Sequence, residues 1–173
     1  MIAPSLSVGK LAGAFGLKGE FVMVHSLGKK TALPGLKVVF VELTKGAPIP
    51  YFVESAKAKS VTETLLKLEG INTREAALAL LQKNVWLAEA DFQEHVSPAA
   101  PIGLLGYSIF HQKTELGAIA EIIEQPHQVI ATVFINQKEV LIPLNQATLR
   151  HINRKKRSVT VDLPNGLLEV YLT

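Results

Sequence analysis

The stretch Val8-Gly9-Lys10-Leu11-Ala12-Gly13-Ala14-Phe15-Gly16-Leu17-Lys18-Gly19-Glu20, continued by Phe21-Val22-Met23-Val24-His25, sets four glycines within eleven residues between two apolar runs. Glycine reaches positive φ and lets one backbone approach another. Gly13 to Gly19 is therefore expected to be a loop joining a strand Ser5 to Ala12 to a strand Gly19 to His25. The same grammar of short runs rich in Val, Ile and Phe, bounded by Gly, Pro or Asn, extends outward along the chain. In the first half it predicts strands at Leu36 to Leu43, Tyr51 to Ala58, Thr62 to Leu68 and Asn84 to Ala88. In the second half it predicts Gly106 to His111, Ala118 to Glu124, Val129 to Ile135, Glu139 to Pro143, Ser158 to Asp162 and Leu167 to Tyr171. About six short strands per half are enough for a small sheet to close and hide its edges. The expected fold class is all-β, with two small six-stranded β-barrels.

One segment departs from this texture. Asn72 to Lys83 offers an N-cap at Asn72, a Glu three residues on, and then helix formers without a β-branched residue, so it predicts one short helix in the first barrel. Ala77 with Leu81 and Ala76 with Leu80 would form its apolar stripe, and Lys83 with Asn84 its stop. Between Asp91 and Gly106 two prolines and a glycine argue against regular structure. The expected organisation is a domain at residues 1–92, a linker at 93–102 and a domain at 103–173. No internal repeat relates the halves.

Composition narrows the chemistry. The 173 residues are 48% hydrophobic and 19% charged, which excludes a disordered chain. With no cysteine, a disulfide scaffold, a Cys-ligated zinc site, an iron–sulfur cluster and a thiol nucleophile are excluded. No apolar run reaches the roughly 18 residues of a membrane span, and Met1-Ile2-Ala3-Pro4-Ser5 lacks the features of a secretory signal. A soluble, cytoplasmic, unprocessed protein is expected. The net charge of +3 divides unevenly: residues 1–92 hold eleven basic and eight acidic side chains, and residues 93–173 seven of each. Five of the latter seven basic residues lie between Arg150 and Arg157.

Catalytic patterns are missing. His25, His95, His111, His127 and His151 are scattered, without the spacing of a zinc helix, and no nucleophile elbow, Walker lysine or dinucleotide fingerprint occurs. Two segments suit anions. Exposed amides between Gly13 and Gly19, with Lys10 and Lys18, could hold phosphate; the plain alternative is a tight β-connection that needs glycine for geometry alone. Gly13-Ala14-Phe15-Gly16 mimics the Gly-x-x-Gly clamp of KH modules, but that clamp joins helices and these flanks read as strands. Arg154-Lys155-Lys156-Arg157 reads either as a phosphate-contacting turn or as a solvated hairpin tip. Trp86, Leu104, Leu105, Tyr107, Ile109 and Phe110 read as core.

Several segments, in order, form a recognisable set. Val8-Gly9-Lys10 with Phe15-Gly16-Leu17-Lys18-Gly19-Glu20 resembles the opening of the ribosome maturation factor RimM family. So do Glu69-Gly70-Ile71-Asn72-Thr73-Arg74-Glu75-Ala76-Ala77, Glu115-Leu116-Gly117-Ala118-Ile119, Val140-Leu141-Ile142-Pro143 and Val161-Asp162-Leu163-Pro164-Asn165-Gly166-Leu167-Leu168, from about Ser5 to the C-terminus. The resemblance implies a translation-factor-like N-terminal barrel and a C-terminal PRC-barrel. It also implies a non-enzymatic factor that binds the head of the immature small ribosomal subunit and its protein number nineteen, assisting 16S rRNA processing and subunit assembly. Under it no catalytic residue, cofactor, metal, membrane or small-molecule substrate is expected, and the chain would act as a monomer. The contact residues it suggests are Lys10, Phe15, Gly16, Lys18, Gly19, Arg74, Arg154, Lys155, Lys156 and Arg157.

The chain departs from the family pattern where an aromatic pair usually precedes the second barrel: here stand Ala99-Ala100-Pro101. Either the contact has moved, to Phe92 or Tyr107, or binding is weaker. Thr73 stands where an acidic residue is common, and Asn153 where Asp is frequent. The competing class is a PRC-barrel scaffold or regulatory adaptor without a ribosomal partner; an RNA-modifying enzyme would need an acid and base that the sequence does not display.

Overall fold

The computed structural model describes Pro4 and residues 6–172. The strand start expected at Ser5 and most of the segment read for a secretory signal lie outside the described residues. The chain divides into two compact units, Met1–Gly103 and Leu104–Thr173.

In the first unit β1 (Leu6–Phe15), β2 (Glu20–His25), β3 (Val38–Thr44), β4 (Ala47–Ala58), β5 (Glu63–Leu68) and β6 (Asn84–Leu87) close into a barrel in the order β1-β2-β5-β4-β3-β6. All six strands expected from the sequence are present. Alternation sets the inward face: Phe21, Met23 and His25 of β2 are buried, as are Leu66 and Leu68 of β5 and Val85 and Leu87 of β6. Full burial of each large apolar side chain contributes about 1.5–3 kcal/mol. Strand β1 closes the barrel by pairing with both β2 and β6. A bulge between Leu11 and Gly13 on one edge and another between Ser7 and Gly9 on the other add the twist that closure requires. At Gly9 an added Cβ would overlap Val24 O, so the close approach of β1 to β2 depends on glycine.

The loop between β2 and β3 plugs one end of the barrel with Leu27, Leu33 and Leu36. It is fastened by a polar chain. Leu27 N donates to His25 Nδ1 (3.2 Å), and Thr64 Oγ1 lies 3.2 Å from His25 Nε2 and donates to Thr31 O (2.8 Å). Since the hydroxyl hydrogen goes to Thr31 O, His25 Nε2 is the donor to Thr64, and the neutral ring is fully bonded.

The helix expected over Asn72 to Lys83 shortens to α1 (Arg74–Leu78), and its cap is Thr73, whose hydroxyl accepts from Ala76 N at 3.1 Å. Asn72 instead accepts from Lys67 Nζ. The helix stops early because β1 captures the chain: Gln82 N donates to Leu11 O (2.7 Å) and Leu11 N to Lys83 O (3.0 Å). Ala77 and Leu80 are buried, while Ala76 and Leu81 are only half-buried.

Residues expected to be irregular hold α2 (Glu89–His95) and a 3-10 turn (Pro101–Leu104). Glu89 and Asp91 favour the positive end of α2, and Pro98 lies beyond its C-cap Val96, so neither proline opposes it. Phe92 and His95 are buried, and Ser97 N donates to Leu27 O at 2.8 Å.

The second unit is also β-built, but with seven strands where six were expected. β7 (Ser108–His111), β8 (Thr114–Ala118), β9 (Glu121–Gln125), β10 (Gln128–Ile135), β11 (Lys138–Leu144), β12 (Leu149–Asn153) and β13 (Ser158–Val161) form a sheet β11-β10-β9 and a sheet β12-β13-β7-β8. Ala120 N donates across to Thr132 O at 2.8 Å. Ile109, Ala131, Val133, Val140, Ile142, Val159 and Val161 form its core. Strands β8 and β12 escape sequence reading because TELGA and LRHIN have little apolar alternation and no buried residue. The strand expected at Leu167 to Tyr171 is instead α3 (Leu167–Leu172). It is entered through a turn in which Leu167 N donates to Pro164 O, and it contains a single β-branched residue, Val170. Of the expected core, Leu104, Leu105, Tyr107 and Ile109 are buried, and Phe110 is half-buried.

Burial holds the His25 imidazole below its ordinary pKa of 6.5. Between the two values the unfolded chain carries a proton that the folded chain refuses, so stability rises with pH across that interval. Lowering the pH from about 7 to about 5.5 is expected to lower Tm, and His25→Gln to remove part of that slope. A Tm of the parent chain that does not change over this range in calorimetry would contradict the assignment.

Candidate functional site

The residues singled out in the sequence separate into two surfaces, one on each unit. On the first unit, β1 runs three residues further than expected: Gly13, Ala14 and Phe15 pair with Val22, Phe21 and Glu20, and the turn is confined to residues 16–19. The ladder thus occupies the first part of the presumed phosphate loop. At the tip, Gly16 and Glu20 bracket Leu17 and Lys18; Phe15 is 48% and Leu17 78% exposed, and Lys18 is exposed. Gly19 is buried with φ +90, and a Cβ there would overlap Ile71 O. Glycine therefore seats the hairpin tip against the segment that leads into α1.

Arg74, the first residue of α1, reaches back to this tip, with Nη1 donating to Gly16 O at 3.0 Å. The approach is prepared by a residue that sequence reading passed over. Lys67, nearly buried on β5, donates from Nζ to Glu54 Oε2 (3.0 Å), Leu68 O (2.9 Å) and Asn72 Oδ1 (3.0 Å). Three acceptors saturate the ammonium, which makes its burial tolerable and fixes the path from β5 to Thr73. The only sequence signal was a lysine interrupting the apolar run Leu65-Leu66-Lys67-Leu68. The structure thus brings together Phe15, Gly16, Lys18, Gly19 and Arg74. Lys10 is not among them: it pairs with Val24 and Asn84, five residues or about 17 Å along β1 from Phe15.

On the second unit Arg154, Lys155, Lys156 and Arg157 form the turn between β12 and β13, all four exposed. Asn153 Oδ1 accepts from Lys156 N at 3.0 Å, an Asx-type closure that a neutral amide performs without adding negative charge. Arg157, at φ +53, stacks its guanidinium 5.5 Å from the centre of the Tyr107 ring. Among the described residues, Arg154, Lys155 and Lys156 form no salt bridge, whereas Arg150 lies 3.6 Å from Asp162. Arg154, Lys155 and Lys156 therefore concentrate unneutralised positive charge at the turn.

The stretch Ala99-Ala100-Pro101 offers no aromatic, and Ala100 is buried where a Cβ on Gly28 would meet it. Neither expected substitute is a free surface aromatic: Phe92 is fully buried, and Tyr107 is buried beneath Arg157. Trp86 is half-buried between buried Val85 and Leu87. Among the described residues no three His, Asp or Glu side chains are grouped to hold a metal ion, and no helix is long and apolar enough to cross a membrane.

The family model of the RimM N-terminal domain matches residues 6–92, and that of the RimM PRC barrel domain matches residues 101–167. The chain belongs to the RimM family. Ribosome maturation factor RimM of Parabacteroides distasonis is 29% identical over 167 residues, covering 94% of this chain and 95% of its own. Its counterpart in Oleidesulfovibrio alaskensis is 29% identical over 173 residues, with 97% of each chain covered. A crystal structure of a 16S ribosomal RNA processing protein RimM from Pseudomonas aeruginosa has 17% sequence identity and a TM-score of 0.41, covering 92% of this chain and 97% of its own. Within this RimM chain the family segments quoted from the sequence fall at structurally demanding places: Gly19 against Ile71, and Arg74 against Gly16.

Two glycine substitutions separate backbone strain from crowding. Gly16→Ala, at φ +71 with open space around it, should cost about 1 kcal/mol. Gly19→Ala adds overlap with Ile71 O and should cost at least about twice as much. Urea midpoints measure both, and equal losses would refute the seating role of Gly19.

Proposed function

We propose that this chain assists maturation of the small ribosomal subunit by binding, without catalysing a reaction. Its partners would be the immature head, through the head protein numbered nineteen, and 16S rRNA, with the chain working as a cytoplasmic monomer. Membership of a ribosome maturation family supports the setting. The observation that carries the contact assignment is the hairpin tip. There, two exposed apolar side chains, Phe15 and Leu17, stand beside Lys18 and the Arg74 that clasps Gly16. An apolar anchor rimmed by cations suits a protein surface lying next to RNA. The Arg154–Arg157 turn supplies the second contact, suited to phosphate.

The mechanism is a population shift. A factor with higher affinity for one arrangement of the head than for its alternatives biases assembly toward the favoured one by that difference in affinity. No proton transfer or bond cleavage is required, in keeping with the scattered histidines and the absence of a nucleophile pattern.

Co-sedimentation of the purified chain with immature small subunits tests the proposal, and failure to bind at low salt overturns it. Lys155→Ala with Lys156→Ala should weaken that binding and reduce the slope of log affinity against log salt by about 1–2. An unchanged slope would return the turn to a solvated tip. Phe15→Ala should weaken binding while leaving the salt slope as it was, because the side chain it truncates carries no charge.

A further inference from the structure

The basic turn of the second unit borders the outer face of the sheet β12-β13-β7-β8, and strand register fixes what that face carries. Val159 and Val161 of β13 and Ile109 of β7 are fully buried, so alternation turns Ser158, Thr160, Ser108 and Phe110 outward. Two rows cross the sheet. In the row next to the turn, Asn153 pairs with Ser158, Ser158 with Ser108 and Ser108 with Ala118; in the row beyond it, His151 pairs with Thr160, Thr160 with Phe110 and Phe110 with Glu115. Adjacent strands lie about 4.8 Å apart, which sets His151 about 10 Å from Phe110 with Thr160 between them, and the two rows about 7 Å apart. Asn153 and Ser158 directly flank the run Arg154-Lys155-Lys156-Arg157, so the cations continue the face.

None of the residues in these rows is buried: His151, Glu115 and Ala118 are exposed, and the others, Phe110 among them, are half-buried. Among the described residues, the side chains of Ser108, Ser158, Thr160 and His151 have no hydrogen-bond or ion-pair partner. The face is thus polar, with unused hydroxyls and an imidazole around one large apolar ring. A docking site for an apolar protein segment would instead cluster several aromatic or aliphatic anchors. An aromatic ring on an open sheet face, with polar groups beside it and cations at its border, suits unpaired RNA, whose bases stack on aromatic side chains while its phosphates meet the cations. Hydroxyls add bonds to the ribose 2′-OH. Glu115, the one carboxylate in the rows, can accept from the amino group of cytosine, and the nearby Asp162 is already engaged with Arg150 at 3.6 Å.

We infer that the outer face of β12, β13 and β7 is a platform for unpaired RNA, continuous with the basic turn. A base stacks on Phe110, His151 and Thr160 contact the nucleotide beside it, and Arg154, Lys155 and Lys156 take the backbone phosphates. This rests on the reading of the chain as a factor that acts at rRNA and deepens it. The turn alone would accept any phosphate, whereas the platform adds a demand for free bases.

The test uses the full chain and a fluorescent single-stranded oligocytidylate, titrated at several salt concentrations well below the Tm of each variant. Phe110→Leu, which keeps an apolar side chain and removes the ring, should weaken binding about tenfold at unchanged salt slope, and Phe110→Tyr should bind as the parent does. His151→Ala, at an exposed position, should weaken binding about fivefold. Lys155→Ala with Lys156→Ala should reduce the slope by about 1.4, near 0.7 for each single-strand phosphate that a lysine no longer neutralises. No binding of the oligonucleotide by the parent chain overturns the inference. So does unchanged affinity in Phe110→Leu, or in His151→Ala should the ring substitution unfold the chain, because the contact would then be electrostatic alone. The outcome is separable from that of the subunit assay. A chain that binds the oligonucleotide through Phe110 but does not co-sediment with immature subunits refutes the proposed function and keeps the platform, and co-sedimentation with no effect of Phe110→Leu on the oligonucleotide does the reverse.

Discussion

Strand β1 must be held on both edges for the first unit to exist as a barrel, and that demand organises what surrounds it. Its pairing with β2 brings the backbones at Gly9 and Val24 too close for any side chain at Gly9. Its pairing with β6 begins where Gln82 and Lys83 bond to Leu11. The second of these pairings truncates α1, since residues recruited to a strand edge cannot also continue a helix. The same strand ends in the exposed tip, so barrel closure and the placement of the candidate contact residues are one event.

Around that closure, two buried polar side chains have their bonding complete, whereas the buried Trp86 Nε1 and His95 Nε2 have no hydrogen-bond partner. Lys67 has three acceptors and His25 is bonded through both ring nitrogens, and each fastens a loop at a different end of the barrel. Lys67 governs the approach to Thr73 and Arg74, and thus the tip. The His25–Thr64–Thr31 chain governs the loop that carries Lys29 and Lys30. Surface chemistry at either end is positioned from below by a saturated buried group, which is a reason to expect ordered and not merely charged surfaces.

Much of the first unit was legible because its strands obey a clean two-residue period with Gly, Pro or Asn at their borders, and all six were found. The second unit was less legible where side chains do not alternate. TELGA and LRHIN are strands by virtue of their partners, and LLEVYL is apolar enough for either state until the Pro164-Asn165-Gly166 turn starts it as a helix. Of the candidate contacts, the tip residues and the basic turn were visible as local runs. Lys67 was not, because a lone lysine in an apolar strand does not reveal which acceptors the fold will bring to it.

By itself, then, the order of residues determined the strand content, the absence of thiol chemistry, the family and the two local cationic features, all of which depend on neighbours within a few positions. Tertiary structure alone decided which of these features meet. It put Arg74 on Gly16 across 58 residues, kept Lys10 away from the tip, and buried Phe92 and Tyr107. The physical reason is that strand register and loop closure set distances between residues remote in sequence, and those distances follow from the closed ladder as a whole and from no local pattern.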